Sequence, residues 1–331
     1  MRKKDNQFYL RSHIERSHQW LVKAADTLEE AKLLSKSGRT RLGTYNRLYY
    51  SAHHTAVALL KLIGNTSKTH QSIINQFSKE WIRNRSFPKK YGSLISELHS
   101  ERDKADYGEF VPSMESDLSK KIKVVSEFYN KAKKIIPEIS IVDILHLITE
   151  RNPEIRDFSF DIYCPKSYYH HTRFTLWLPK GRLTNKAIEN LYKGTTEALK
   201  LLKVKENLEY TIGINSRTNQ YNSKQLILLD FDDISSFPAH KILGEPGYVF
   251  RTQEGYHFIG TKLYNLKDWT KRMKALIKVA SKDHIELSLK RGYATVRITT
   301  SVRKPFKPVY SGKTEDKPPR KKKSSKKSPS V

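Results

Sequence analysis

The chain has 331 residues, 62 Lys and Arg against 34 Asp and Glu, and a formal net charge of +28, which makes a polyanion the expected partner. That length exceeds the usual single core, and 37% hydrophobic with 11% aromatic residues supports two globular domains and argues against general disorder. One cysteine, Cys164, excludes an internal disulfide and a cysteine-cluster zinc site and fits a reducing compartment.

From His13 to about Ile136, apolar residues recur three and four apart, with breaks at "SKSGRTRLG", "GNTSKT", "RSFPKKYG" and "DYGEFVPS". The pattern predicts a bundle of five helices. The helix that begins near Thr44, "TYNRLYYSAHHTAVALLKLIG", has an apolar face through Tyr49, Ala52, Ala56, Leu60 and Ile63. At about 100° per residue, His53 falls within that face, whereas Arg47, Tyr50, Ser51 and His54 fall opposite. Arg47 and His54 share one stripe two turns apart, where a guanidinium and an imidazole can serve one phosphate. His53 reads as a hydrogen-bonded core residue and His70 as a helix-start residue. Arg102, Asp106 and Tyr107 are candidates for polar contact with the Arg47 face.

After Pro137 the character changes. "FSFDIY", "RFTLWLP", "YTIGIN", "LILLDFD", "YVFRT", "YHFIG", "HIELSL" and "ATVRIT" read as strands, with helical spacing in "TNKAIENLYKGTTEALKLLK" and "NLKDWTKRMKALIKVAS". The second domain is therefore α+β. The expected boundaries are 1–137 for the bundle, 138–310 for the α+β domain and 311–331 for a solvated basic tail. Seven basic residues and no acid follow from Lys317. The start has no secretory apolar run, and the longest apolar stretch, "ISIVDILHLI", is broken by Asp143, so a cytoplasmic protein with no membrane association is expected.

In "LILLDFDD" an apolar strand ends in three acids within four positions. On a strand, Asp230 and Asp232 project to one face, about 6–7 Å apart along the backbone, and can converge on divalent ions. Asp233 points away or begins a turn. "YVFRTQEGYHFIG" reads as strand, tight turn and returning strand carrying His257. Asp283 follows, then a hairpin signal at "KRGY" and the basic groups Arg297, Ser301, Arg303 and Lys304.

This ordered set resembles the archaeo-eukaryotic primase (primase-polymerase) superfamily, over roughly residues 155–310. Its aspartate pair is matched by Asp230 and Asp232, its hydroxyl–glycine–histidine motif by Thr252, Gly255 and His257, and its single acid by Asp283. The resemblance implies a primase-like, RRM-related α+β fold. It implies nucleotide addition on a nucleic-acid template, with Mg2+ or Mn2+ held by the three aspartates and nucleoside triphosphate as substrate. His257 and Arg297 would contact phosphate, with Thr252, Gly255, Ser301 and Lys304 lining the same site, and a helicase or other replication protein would be a partner. Thr252 stands where serine is commoner, and the cysteine-rich zinc stem of many cellular primases has no counterpart.

"RLYYSAHH", "KTHQSIINQF" and "ERDKADYGEF" are similar to segments of HEPN domains, over about residues 13–135. Ribonucleolytic HEPN members bring an arginine and a histidine from two protomers together in a homodimer and cleave RNA without metal. Arg47 and His54 would fill those roles, although Leu48 replaces the polar residue frequent after the arginine. The leading expectation is a primase-like nucleotidyltransferase with a HEPN module for dimerisation or nucleic-acid binding. The alternatives are a HEPN ribonuclease of defence or toxin type with the second domain as nucleotide or nucleic-acid sensor, and a non-enzymatic factor that binds DNA or RNA.

Overall fold

The computed structural model describes residues 3–38, 40–106, 115–163, 173–201, 210–238, 242, 244–300 and 305–314. The chain divides into two compact units, residues 1–139 and 140–331. Among the described residues no helix is long and apolar enough to cross a membrane.

The first unit consists of α1 (Lys3–Ser37), α2 (Arg41–Leu62), α3 (His70–Phe77), α4 (Lys89–Asp106) and α5 (Glu115–Ile135), with a π-helical turn at Ser78–Ile82. Helix α2 starts where the Thr40 hydroxyl accepts the Gly43 N–H, an N-cap that satisfies one of the donors a first turn leaves unpaired. Its composition then determines its place: Leu48, Tyr49, Ala52, Ala56, Ala58 and Leu59 are all fully buried, so α2 is the central helix. Small residues let α1 approach closely. Ser51 Oγ donates to the Ala24 carbonyl at 2.9 Å and Ser17 Oγ to the Ala58 carbonyl at 2.7 Å, pairs that run in opposite directions along the two helices and make them antiparallel. On the far side, Phe77, Phe87, Tyr91 and Phe128 form an aromatic layer, with Tyr91 stacked on Phe128 at 5.0 Å.

The second unit opens with α6 (Ile141–Arg151), the apolar stretch that Asp143 interrupts. Asp143 belongs to a capping box in which Ser140 Oγ accepts the Asp143 N–H and the Asp143 carboxylate accepts the Ser140 N–H, so the acid starts this helix. The strands are β1 (Asp157–Tyr163), β2 (Arg173–Pro179), β3 (Thr211–Thr218), β4 (Lys224–Asp232), β5 (Gly247–Arg251), β6 (Gly255–Tyr264), β7 (Thr295–Arg297) and β8 (Val309–Thr314). They form one antiparallel sheet in the order β2-β1-β3-β4-β6-β5-β8, with β7 also paired to β3. Helices α7 (Asn185–Leu201), α8 (Leu266–Leu276) and α9 (Lys282–Arg291) complete the unit. Residues Gln225–Leu229 of β4 are buried without alternation, as expected for a strand covered on both faces. Trp269 of α8 is fully buried and donates from Nε1 to the Leu226 carbonyl at 3.0 Å.

Two sequence expectations are corrected. "HIELSL" is helical, within α9, and "KRGY" is its end, where Gly292 at φ +77° forms a left-handed C-cap. The alternation that suggested a strand spans too few residues to outweigh this stop signal, and its cost is an exposed Leu287. Strand β8 was not foreseen and carries sheet pairing to Thr314, past the expected start of the tail at 311. Its last residue is tied down by Thr314 Oγ1 donating to the Glu245 carbonyl at 2.6 Å.

The β5–β6 hairpin depends on Gly255. A Cβ at that position would lie 1.8 Å from the Phe231 carbonyl oxygen, inside the β4–β6 ladder where Asp232 faces Gly255. Gly255→Ala is therefore predicted to destabilise the second unit by about 3 kcal/mol through forced strand separation, measured by urea unfolding; an unchanged midpoint would contradict this close packing.

Candidate functional sites

In the first unit, histidine and tyrosine side chains from three helices gather around α2. Tyr49 Oη and His70 Nδ1 are hydrogen-bonded at 2.6 Å. The His53 ring lies 4.5 Å from that of His70 and 5.9 Å from that of His54. From α4, the Arg102 guanidinium carbon sits 5.6 Å from the Tyr49 ring and 5.4 Å from the Tyr50 ring, and His99 Nδ1 is 3.3 Å from the Asp103 carboxylate. Arg102 thus meets Tyr49 of the apolar face and Tyr50 of the Arg47 face; Tyr107 and the Asp106 side chain lie outside the described residues.

The stripe shared by Arg47 and His54 faces α1. Arg47 forms an ion pair with Glu30 at 3.3 Å, with both side chains about half exposed (42% and 54%), so the pair is weak and easily displaced by another anion. His54 packs against Trp20 at 5.3 Å between ring centroids. Burial holds the His54 imidazole down at a pKa of about 4, and a hydrogen bond to the Lys23 backbone only partly offsets it. Its Nδ1 has no hydrogen-bond partner. His53 departs from the sequence reading: it is buried, as expected, but neither ring nitrogen is hydrogen-bonded. Burial, with the positive neighbours His70, His54, His99 and Arg102, lowers its pKa to about 3.

In the second unit, the β4–β6 register places Asp230 directly opposite His257, and the carboxylate lies 3.4 Å from Nε2. Thr252 and Gly255 close the β5–β6 turn. The Thr252 hydroxyl accepts the Gly255 N–H at 3.0 Å, and the Thr252 N–H reaches the Gly255 carbonyl at 2.9 Å. Arg297 on β7 is buried and donates to the Phe306 carbonyl at 3.0 Å. Burial lowers its pKa, while Tyr163, Asp230 and Glu254 pull the other way. Asp230, His257 and Arg297 therefore share one neighbourhood.

The start of α9 is tied to this neighbourhood, with the Ser281 N–H donating to the Asp230 carbonyl at 2.9 Å. Asp283 is exposed in the first turn of α9, and its neighbour His284 turns toward β4. His284 Nε2 contacts the Leu228 carbonyl at 3.0 Å; its pKa is lowered by burial and drawn back by Asp230 and Asp232. Asp232 is exposed, and Asp233 starts a turn at φ +55°. Ser301, Arg303 and Lys304 lie outside the described residues. Among the described residues no group of three or more His, Cys, Asp or Glu is placed to hold a metal ion.

Sequence reading passed over Asp161, which is fully buried on β1. It accepts from Arg173 at 2.7 Å, Thr175 at 2.8 Å, Asn215 at 3.0 Å and Thr295 at 2.5 Å. An acid inside the apolar run "FSFDIY" was the available signal, since a buried carboxylate requires partners.

The two buried histidines make the first unit sensitive to acid. Their folded-state pKa values lie below the unfolded value near 6.5, so the unfolded chain binds more protons and stability falls as pH drops from about 6.5 toward 4. Between pH 6.5 and 5 the loss should be on the order of 2 kcal/mol for buried His53 and smaller for the partly solvated His54, read by urea unfolding of wild type and His53→Phe, with the variant showing the shallower slope. Equal slopes would place the titration elsewhere.

The HEPN domain family matches residues 17–136. A Thermotoga maritima protein named "UPF0332 protein" is 28% identical over 120 residues, 36% of this chain and 90% of the relative. A Methanocaldococcus jannaschii protein named "Putative toxin MJ0605" is 29% identical over 116 residues, 35% of this chain and 85% of the relative. Arg47, His53, His54, His70, His99 and Arg102 all fall inside the matched segment. Residues 17–136 are a HEPN domain.

Proposed function

We propose that the HEPN unit is a metal-independent ribonuclease and that the second unit binds nucleic acid or nucleotide. The carrying observation is His54: a buried imidazole that is neutral at pH 7, with Nδ1 unpaired, on the same stripe of α2 as an exposed arginine. A neutral imidazole can accept a proton. Arg47 lies about 10 Å away along the helix axis, within reach of a common phosphodiester through its long side chain, and its existing partner Glu30 is half exposed. In this reading bound RNA displaces Trp20 from His54, whose Nδ1 is enclosed in the free chain, and a ribose 2′-hydroxyl attacks the adjacent phosphorus as that Nδ1 takes its proton. Arg47 neutralises the phosphoryl oxygens. The bond to the 5′-oxygen breaks, that oxygen takes a proton from water, and a 2′,3′-cyclic phosphate remains. HEPN domains commonly dimerise and bind RNA, and a second copy of this chain is the proposed partner; the toxin-named relative agrees in kind with a nuclease.

For the second unit, the Asp230–His257 contact beside Arg297 supports recognition of phosphate groups by the imidazole and the guanidinium. Template-directed nucleotide addition would need Mg2+ or Mn2+ on Asp230, Asp232 and Asp283. The described donor set does not supply three such groups around one ion, and Asp283 is exposed. Sensing is therefore favoured over polymerisation, and replication partners are not part of the proposal.

The test is cleavage of end-labelled single-stranded RNA by the full chain. Cleavage should persist in chelator, yield cyclic-phosphate ends and fall at least about 100-fold in His54→Ala. Its acid limb should follow His54 protonation near pH 4 and not near 6.5. Loss of activity in chelator, or wild-type rates in His54→Ala, would reject the assignment.

A further inference from the structure

Two arginines on one face of the second unit are held over aromatic rings. Arg217 on β3 has its guanidinium carbon 4.3 Å from the Tyr293 ring and 5.9 Å from the Trp177 ring. Arg173 on β2 lies 4.3 Å from the ring of Tyr163, its cross-strand neighbour by way of β1–β2 pairing. The distances and the aromatic partners fit cation–π contacts. All five side chains are neither buried nor fully exposed.

What holds them is the buried Asp161 carboxylate. It takes Arg173 directly. It also takes Asn215 and Thr175, which in turn hold Arg217 through its Nε at 3.3 Å and its NH2 at 3.3 Å. A fully desolvated carboxylate is expensive, and breaking such a network is more costly still. Here one negative charge orients two guanidiniums. A third, Arg291, is close enough to Arg173 for the two charges to oppose each other. The face therefore keeps a positive surplus, on a chain already at +28. It is continuous with the Asp230–Arg297 neighbourhood, because Tyr163 interacts with Asp230, Arg297, Arg173 and Asp161. Burial raises the Tyr163 phenol to about 12, so the ring end carries no charge to repel an anion.

We infer that this face, from Trp177 and Tyr293 across Arg217 and Arg173 to Tyr163, is a stacking platform for single-stranded nucleic acid. The partly exposed rings of Trp177 and Tyr293 offer π-surface to bases, and the guanidiniums beside them supply N–H donors for phosphates. The strand must be single, because a duplex hides base faces from side chains on a sheet. The inference deepens the reading of the second unit as a nucleic-acid binder and needs no cleavage by the HEPN unit.

The experiment is fluorescence-anisotropy titration of the full chain with thymidine homopolymers about 12 nucleotides long, compared with abasic strands of equal length and charge. Wild type should prefer the base-bearing strand by about 10-fold. Trp177→Ala and Tyr293→Ala should reduce that preference to near unity, while Trp177→Phe should keep most of it. A uridine strand in the His54→Ala background separates RNA from DNA, and a duplex should compete poorly at equal phosphate. Ultraviolet cross-linking of wild type, which needs no variant to fold, should place the base on peptides containing Trp177 or Tyr293. Equal binding of base-bearing and abasic strands, or cross-links confined to other peptides, would overturn the platform. Because only binding is read, failure here and failure of RNA cleavage are separate results.

Discussion

The structure of the first unit depends on burying helix α2 with two imidazoles on it. On a helix that carries Leu48, Ala52, Ala56 and Leu59 at full burial, His53 is buried and His54 half-buried against Trp20, so both give up charge. His53 has no hydrogen bond to compensate it, and each unmet buried polar atom costs on the order of 1–3 kcal/mol. The neighbouring His70 and Arg102 disfavour protonation of His53 further. What results is a pair of bases that remain uncharged well below neutral pH. Perturbed groups of this kind are more frequent at functional sites than elsewhere, though structural networks also produce them.

The second unit solves the opposite problem with a carboxylate. Asp161 stays inside the sheet because four donors converge on it, and those donors are themselves the residues that position Arg173 and Arg217. Charge is thus spent inward to hold charge outward. The same economy is seen at Glu245, buried at 1% exposure, which accepts from Arg272 at 2.5 Å and Tyr264 at 2.8 Å and anchors the edge strand β8 through its carbonyl. Asp230, by contrast, is partly exposed and faces an imidazole.

Much of this was legible in the sequence where pattern and chemistry coincide. The five helices before Ile136 follow from 3.6-residue spacing and their breaks, and β1 to β6 from apolar runs bounded by turn residues. The Asp230–His257 proximity was implied by an acid at a strand end and a histidine on the returning hairpin. What failed is equally physical. Asp283 was assigned to the acid cluster by its order along the chain, and the strand predicted for its segment is instead α9, which presents His284 to β4. His70, His99 and Arg102 join the α2 cluster from helices whose relative packing no local pattern encodes. Asp161 could be noticed as an acid within an apolar strand, yet its four partners come from β2, β3 and β7, and pairing between distant strands is decided by the whole sheet.

The central claim is that His54 is a neutral, unpaired base at working pH. NMR titration of the histidine ring resonances in the intact chain tests it most directly. The account predicts that His54 stays uncharged through pH 6 and titrates near 4, with Nδ1 unprotonated above that midpoint. A titration midpoint near 6.5, the value of a solvated imidazole, would contradict the burial on which both the acid sensitivity and the proposed proton transfer rest.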